Sequence, residues 1–272
     1  MPSSCLQINI LLTQLQIQTL ISDTVTSSVH DFFQGKVVKT THMLDHIFPR
    51  ERKIRSLIGG LETSMGTRVW EPLAKAFAKG NGYIVCDEAN FNSRVPIIPL
   101  DILNMIAYWE DKKLKCPTTP LSQFWVEVNE YIDRYIDRRA LEFSSIPKGQ
   151  GVDVILIKDN TYYFFDLKTT QINAGGGPKF LRNLLCWYTY AALLGIKNIS
   201  CFLAFPFDPH SGNFWMREGG KISPLIPRKE AFVGDEFWDV LTGMPNTTEI
   251  IESTFKKLGS EGFGEQFSFH FD

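Results

Sequence analysis

The sequence lacks any run of about 18 or more apolar residues, so it predicts no segment that spans a membrane. Cysteine is scarce: five residues are scattered along 272, and no Cys-x-x-Cys spacing occurs. This scatter excludes a disulfide framework, argues against a structural zinc site and favours a reducing compartment. The N-terminal stretch also lacks a basic region, and we do not interpret it as a secretion signal. These absences predict a cytoplasmic protein.

The sequence also has no large excess of positive or negative charge. The formal net charge is −2, from 28 Lys and Arg against 30 Asp and Glu. A surface coated in positive charge is therefore excluded, and nucleic-acid binding would need a local basic surface. Hydrophobic residues make up 44%, which excludes a disordered chain and is ample for a core. We expect one domain over residues 1–272, with a helical N-terminal part at about 1–56 and a core at about 57–207.

The spacing of the hydrophobic residues changes in the middle of the chain. Apolar residues at helical spacing predict a long helix over 57–79. Two β-branched and aromatic stretches, VDVILI at 152–157 and YYFFDLK at 162–168, flank the turn residues KDNT and predict a β-hairpin. A helix at about 180–194 and a buried strand at 199–205 follow. This order predicts an α/β fold with a central mixed β-sheet flanked by helices.

The predicted hairpin brings two acidic side chains together. A four-residue loop pairs Ile157 with Tyr162. The same register sets Asp153 opposite Asp166, with Cβ atoms about 4.5–5.5 Å apart. Lys168 shares a face with Asp166 because side chains alternate along a strand. Two opposed carboxylates repel each other, and a divalent cation such as Mg²⁺ removes the conflict. The spacing therefore indicates metal-assisted phosphodiester hydrolysis, with Lys168 orienting or activating water.

These residues resemble the pattern of the PD-(D/E)xK nuclease superfamily. That pattern has an acid at the start of one strand and an acid-x-Lys on the next; here it is Val152-Asp153 and Asp166-Leu167-Lys168, with 12 residues between the acids. Val152 stands where the pattern usually has proline, and the second acid is Asp, which the family allows. More broadly, the chain looks like a type II restriction endonuclease. The stretches GLETSMGTRVWEPLAKAFA and GDEFWDVLTGMP resemble a group that cuts GGNCC-type sites.

The resemblance implies a restriction-endonuclease-like core in a single nuclease domain. It also implies Mg²⁺ bound by Asp153, Asp166 and the backbone carbonyl of Leu167. The partner would be double-stranded DNA, cut on both strands of a palindromic site by a homodimer in a prokaryotic cell. Three alternatives stay open: a repair or structure-specific nuclease of the same superfamily, a non-catalytic DNA-binding module with vestigial acids, and an unrelated α/β protein with a chance Asp-x-Lys.

The superfamily often contributes a further acid from the helix before the hairpin, and Glu62 and Glu71 are the candidates. On a continuous helix the apolar stripe has its centre near Glu62, which predicts that Glu62 points inward and assists catalysis through the metal shell. The alternative for Glu62 is a structural carboxylate bonded to an arginine or a backbone N–H. Glu71 is interpreted as a solvated first-turn residue, and a break at Pro72 would reopen the choice.

The loop and helix start after the Asp-x-Lys are polar, basic and rich in glycine. The candidate DNA contacts there are Gln171, Asn173, Lys179 and Arg182. The first two could bond bases or phosphate, and the last two could neutralise phosphate. The glycines at 175–177 would let a DNA backbone approach closely. The alternative is an ordinary linker with charges at the start of a helix.

Overall fold

A computed structural model of the protein describes residues 12–38, 42–169, 173 and 175–271. These residues fall into two compact units. The first comprises the described part of Met1–Asn81 together with Trp238–Asp272, and the second is Gly82–Phe237. This division does not test the expected single nuclease domain over residues 1–272, which stays a prediction. Within the described ranges, no helix has both the length and the apolar character that a membrane span requires.

The described part of the chain contains α-helices, short 3₁₀ helices and short strands. The helices are α1 (Gln14–Phe33), α2 (Pro49–Met65), α3 (Glu71–Gly80), α4 (Glu88–Ser93), α5 (Leu100–Lys115), α6 (Leu121–Tyr135), α7 (Gly177–Leu193), α8 (Phe214–Ile222), α9 (Asp235–Thr242) and α10 (Thr247–Ser260). The strands are β1 (Ile84–Val85), β2 (Val95–Pro96), β3 (Phe143–Ser144), β4 (Val154–Lys158), β5 (Thr161–Leu167), β6 (Ile199–Phe205) and β7 (Ala231–Val233). A five-residue π-helical segment, Gly66–Trp70, joins α2 to α3.

The first unit contains α1, α2, α3 and α10. Helix α1 begins at a capping box, in which the Gln16 backbone N–H donates to the Thr13 hydroxyl and the Thr13 N–H donates to the Gln16 side chain. A buried apolar cluster in this unit consists of Phe32, Phe33, Leu57 and Phe267. Between α1 and α2 lies a 3₁₀ helix, Met43–His46. The helical N-terminal part at about 1–56 stays a prediction.

The helix predicted over 57–79 is interrupted. The π-helical segment Gly66–Trp70 separates α2 from α3 and has a wider turn than an α-helix. It therefore rotates all later residues relative to a helical wheel drawn for a continuous α-helix. The prediction that Glu62 points inward is wrong for this reason, because its stripe combined residues from both sides of the interruption. Glu62 is exposed, and Leu57 is the buried residue of α2.

The second unit is built on a five-stranded mixed sheet with the strand order β1-β4-β5-β6-β7. Strand β4 is antiparallel to β1 and β5, whereas β6 is parallel to β5 and β7. Helix α7 is the crossover that joins the parallel neighbours β5 and β6. The prediction of a central mixed sheet flanked by helices is confirmed.

The β4–β5 hairpin has the predicted register and a shorter loop. Ile157 pairs with Tyr162 as predicted, and one further residue pair follows before the turn. The loop therefore has two residues rather than four. Both of them, Asp159 and Asn160, have positive φ, at 49° and 58°. A two-residue turn of this kind matches the twist of antiparallel strands, and Asp and Asn tolerate its backbone conformation better than most residues do.

Helices α4 and α7 pack on one face of the sheet. The ring of Phe164 on β5 lies 5.0 Å from that of Phe91 on α4 and 6.4 Å from that of Trp187 on α7, between ring centroids. Because side chains alternate along a strand, Asp166 projects to the same face as Phe164, and Phe165 projects to the other. The aromatic stretch at 187–194 is mostly buried core, as its apolar character indicates.

A buried ion pair joins α5 to the residue before β7. The Nζ of Lys113 lies 2.7 Å from Oε2 of Glu230, and the two residues are 0% and 4% exposed. The Glu230 carboxylate also accepts from the backbone N–H groups of Leu121 at 2.8 Å and Ile226 at 2.9 Å. The Lys113 ammonium donates to two backbone carbonyls at 2.9 and 3.2 Å. Such a pair is tolerated in a core because both charges are hydrogen-bonded, and removing one leaves the other uncompensated.

We expect Lys113→Met to lower the free energy of unfolding by about 3 kcal/mol, because Glu230 stays buried without its cation. Urea denaturation followed by circular dichroism measures the change. The matched control is Lys115→Met on the same helix, where the ion pair with Asp111 is exposed to solvent and the stability should not change. Equal stability of the two variants would contradict a structural role for the buried pair.

Candidate active site

Asp153 and Asp166 lie side by side on neighbouring chain segments, as the predicted register requires. Asp153 immediately precedes β4, and its backbone N–H donates to the Phe165 carbonyl at 3.0 Å. Its Oδ2 accepts a hydrogen bond of 2.8 Å from the backbone N–H of Leu167. Asp166 is 2% exposed, whereas 28% of the Asp153 side chain is exposed. One carboxylate is therefore buried beside another that solvent can reach.

Lys168 lies against both acids. Its Nζ donates to the Asp166 carboxylate and lies 3.9 Å from Oδ2 of Asp153. Its backbone N–H donates to the Ala204 carbonyl at 2.9 Å, which continues the pairing of β5 with β6 beyond the end of the strand. With 38% of its side chain exposed, the ammonium group is accessible from solvent. The structure thus brings together Asp153, Asp166 and Lys168, the three residues that the sequence places at the centre of the site.

Burial and a like charge both oppose the ionisation of Asp153. Burial first, and then the neighbouring Asp166 carboxylate, raise the pKa of Asp153 to about 8, against its ordinary value of 3.8. The Lys168 ammonium and the Leu167 N–H act in the opposite direction. The metal-free site therefore disfavours two adjacent negative charges.

The donor set fits a hard divalent cation. Carboxylate and backbone carbonyl oxygens are the ligands that Mg²⁺ takes in proteins, and a cation between Asp153 and Asp166 would remove the repulsion that raises the pKa of Asp153. Within the described ranges no cluster of three or more His, Cys, Asp or Glu residues is arranged to hold a metal. The backbone carbonyl of Leu167 as a third protein ligand stays a prediction. The predicted donor, Leu167, lies between the two motif residues, with its N–H bonded to Asp153.

The predicted DNA contacts differ in accessibility. Gln171 lies outside the described residues. Asn173 and Lys179 are exposed. Arg182 is half-buried, and its guanidinium donates to the Glu110 carboxylate at 2.7 Å. Lys179 is therefore accessible to a phosphate group, whereas Arg182 would first have to leave or share its carboxylate partner.

Gly175, before α7, and Gly177, its first residue, differ in the space around them. Among the described residues, no atom lies within 4 Å of a Cβ placed at Gly175. Gly175 has a φ of +85°, a conformation that other residues adopt with strain. A Cβ at the buried Gly177 would lie 1.8 Å from the Ser223 carbonyl oxygen. At Gly177, the space that the sequence analysis assigned to DNA is therefore filled by protein backbone.

The two further acids belong to the first unit. Glu62 is exposed on α2, and Glu71 is half-buried in the first turn of α3, directly before Pro72. The assisting role of Glu62 stays a prediction.

Asn92, which contacts the residue before Asp153, could not be predicted from the sequence. The Asn92 side chain forms two hydrogen bonds with the backbone of Val152. The two residues are 60 positions apart, and one polar residue on a six-residue helix carries no pattern of its own. Gly151, directly before Val152, lies close to the same amide: a Cβ there would lie 3.0 Å from the Asn92 amide nitrogen.

Comparison with known proteins agrees with the motif. The family model described as HinfI, a type II restriction endonuclease, matches residues 5–259. This match spans most of the chain and includes both segments of the motif. It favours a restriction endonuclease over a repair nuclease, a non-catalytic module or an unrelated fold. Searches of curated proteins and of solved structures found no significant match.

The raised pKa of Asp153 predicts how the stability of the metal-free protein depends on pH. The folded-state pKa lies above the unfolded one, so this residue contributes stability below about pH 4, and the contribution is lost as the pH rises towards about 8. Asp153→Asn should therefore raise the free energy of unfolding at about pH 8 by about 1–2 kcal/mol and change it little at about pH 4. Urea titrations in EDTA measure both. A variant less stable than the wild type at the higher pH would contradict the proposed repulsion.

Proposed function

The chain belongs to the HinfI family of type II restriction endonucleases, and on that premise we propose that it cuts both strands of a palindromic DNA site by Mg²⁺-dependent hydrolysis. In this proposal Asp153, Asp166 and the backbone carbonyl of Leu167 hold the cation. The observation that carries the proposal is the contact of one ammonium group, on Lys168, with two adjacent carboxylates at the end of a hairpin.

Type II restriction endonucleases generally use Mg²⁺, and the chemistry of this site supports the same requirement. Two carboxylates are held together although burial and repulsion raise the pKa of one of them. A structural role alone does not account for that arrangement, because one acid replaced by an amide would remove the repulsion. A site that binds a divalent cation needs both acids ionised, and the cation stabilises that state.

Each residue of the site has a distinct task in the proposed reaction. When bound, Mg²⁺ supplies positive charge to the scissile phosphate. Lys168, which is partly exposed, has N–H groups that can hold a water molecule and stabilise negative charge on the phosphate. Asp166 orients the ammonium group through their hydrogen bond. The Leu167 N–H fixes one oxygen of Asp153, which leaves the other oxygen for the cation.

The proposal extends to the partners. Lys179 and Asn173 are exposed near the start of α7 and are accessible to DNA, and Gln171 and Arg182 are proposed as further contacts. A palindromic target matches a two-fold symmetric protein, so we propose a homodimer.

We also propose a prokaryotic, cytoplasmic location, and GGNCC as the type of recognition sequence. We propose Glu62 as an assisting acid, and measurement of the DNA cleavage rate of Glu62→Gln tests that role.

Cleavage of plasmid or phage DNA tests the enzymatic proposal. We expect discrete fragments with Mg²⁺ and none with EDTA, and sequencing of the fragment ends identifies the recognition site and the position of the cut. Lys168→Ala should lower the cleavage rate by about 10²–10³-fold, because charge stabilisation and water orientation are lost together. The control is Lys197→Ala, since Lys197 is an exposed lysine just before β6, at the end of that strand remote from the site. Cutting in EDTA, or full activity of Lys168→Ala, would contradict the mechanism.

Salt dependence of binding tests the proposed DNA contact of Lys179. Binding of a duplex containing the identified site is measured in EDTA by fluorescence anisotropy at several salt concentrations. Lys179→Ala should weaken binding and reduce the slope of log affinity against log salt by about 1, the value for one phosphate contact. Lys197→Ala should leave the slope unchanged. Equal slopes for the wild type and Lys179→Ala would remove Lys179 from the interface.

A further inference from the structure

We propose that Asn92 is a positioning residue for the cation site: it fixes the backbone that carries Asp153 and thereby the affinity of the site for Mg²⁺. This inference rests on the proposed Mg²⁺-dependent function. Asn92 touches neither acid in the contacts described above. Its effect passes through Val152, the residue before Asp153.

The amide group of Asn92 bonds both polar groups of the Val152 backbone. Its Nδ2 donates to the Val152 carbonyl at 2.9 Å, and its Oδ1 accepts from the Val152 N–H at 2.9 Å. The side chain thus reproduces the paired hydrogen bonds that a neighbouring strand would supply. Strand β4 begins only at Val154, so this contact extends the ordered backbone to the residue that adjoins Asp153.

Val152 needs these bonds because it is buried, with 1% of its surface exposed. An unpaired buried N–H or carbonyl costs about 1–3 kcal/mol, so a backbone that loses both partners tends to move towards water. Any such movement displaces Asp153. The bond from the Leu167 N–H to Asp153 then changes as well, and with it the separation of Asp153 from Asp166.

Contacts with other residues of the second unit hold α4 in place, so the position of Asn92 is fixed as well. The N-cap of the helix is Asp87, whose side chain accepts from the Asn90 N–H at 3.0 Å. Phe91 packs against Phe164 of β5. The Asn92 carbonyl accepts from the Ile146 N–H at 2.8 Å. The two bonds from Asn92 therefore hold the Val152 backbone in place relative to β5, the strand that carries Asp166.

The residue type matters at position 92. An amide offers a donor and an acceptor side by side, and a carboxylate offers acceptors alone. A Cβ at Gly151 would lie 3.0–3.3 Å from the Asn92 side chain, so the space around the amide is restricted. We expect substitutions to weaken Mg²⁺ binding while leaving the chemistry of the occupied site intact.

Calorimetric titration of Mg²⁺ into the metal-free protein tests the inference, together with cleavage rates as a function of Mg²⁺ concentration. Asn92→Ala removes both bonds. Asn92→Asp keeps the shape and loses the donor, and its added negative charge would by itself tighten cation binding, so weaker binding by this variant reflects geometry. The matched control is Asn90→Ala, an exposed asparagine on the same helix.

We expect Asn92→Ala and Asn92→Asp to raise the Mg²⁺ dissociation constant by about tenfold, with cleavage restored at high Mg²⁺ and no change for Asn90→Ala. A lower melting temperature with an unchanged Mg²⁺ dissociation constant would assign Asn92 a purely structural role and overturn the inference. If Asn92→Ala does not fold, Asn92→Asp decides. A wild-type protein that binds no Mg²⁺ and cuts no DNA would overturn the proposed function, and the inference with it.

Discussion

The register of the β4–β5 hairpin places two mutually repelling carboxylates next to each other, and the site depends on that constraint. Backbone pairing sets Asp153 against Asp166, and a single ammonium group, that of Lys168, contacts one acid and faces the other. Burial and the neighbouring Asp166 carboxylate raise the pKa of Asp153, so keeping both acids ionised is unfavourable without a cation. A bound divalent cation would remove the repulsion between the two carboxylates, which is why this arrangement supports the proposed cation site.

The contrast with Glu230 shows how the same chain treats a structural charge. That carboxylate is also buried, but it receives a lysine and two backbone N–H groups, so its charge is well compensated. At the candidate active site, Asp153 receives one backbone N–H, and one lysine is shared with a second acid. Incomplete compensation of its charge therefore distinguishes Asp153, a proposed cation ligand, from the structural Glu230 more clearly than burial does.

The hairpin could be predicted from the sequence because its signals are local. Two β-branched and aromatic stretches around an Asp-Asn pair fix the strands and the register, and Asp153, Asp166 and Lys168 follow from side-chain alternation. The inward orientation of Glu62 could not be predicted in the same way, because the π-helical segment at Gly66–Trp70 leaves no pattern of apolar spacing. Asn92 was missed since its contact with Val152 joins residues far apart in the chain. The partners of Arg182 and Gly177 likewise depend on tertiary packing.

The attachment of Lys168 to Ala204 makes the site depend on two pairings of different range. The two acids are brought together by a turn of two residues, which is a contact of short sequence separation and little entropic cost. The Lys168 backbone, in contrast, is anchored to β6, which pairs in parallel with β5 across the length of α7. The position of the lysine therefore depends on the packing of α7 and β6, whereas the pairing of the two acids depends on the hairpin alone.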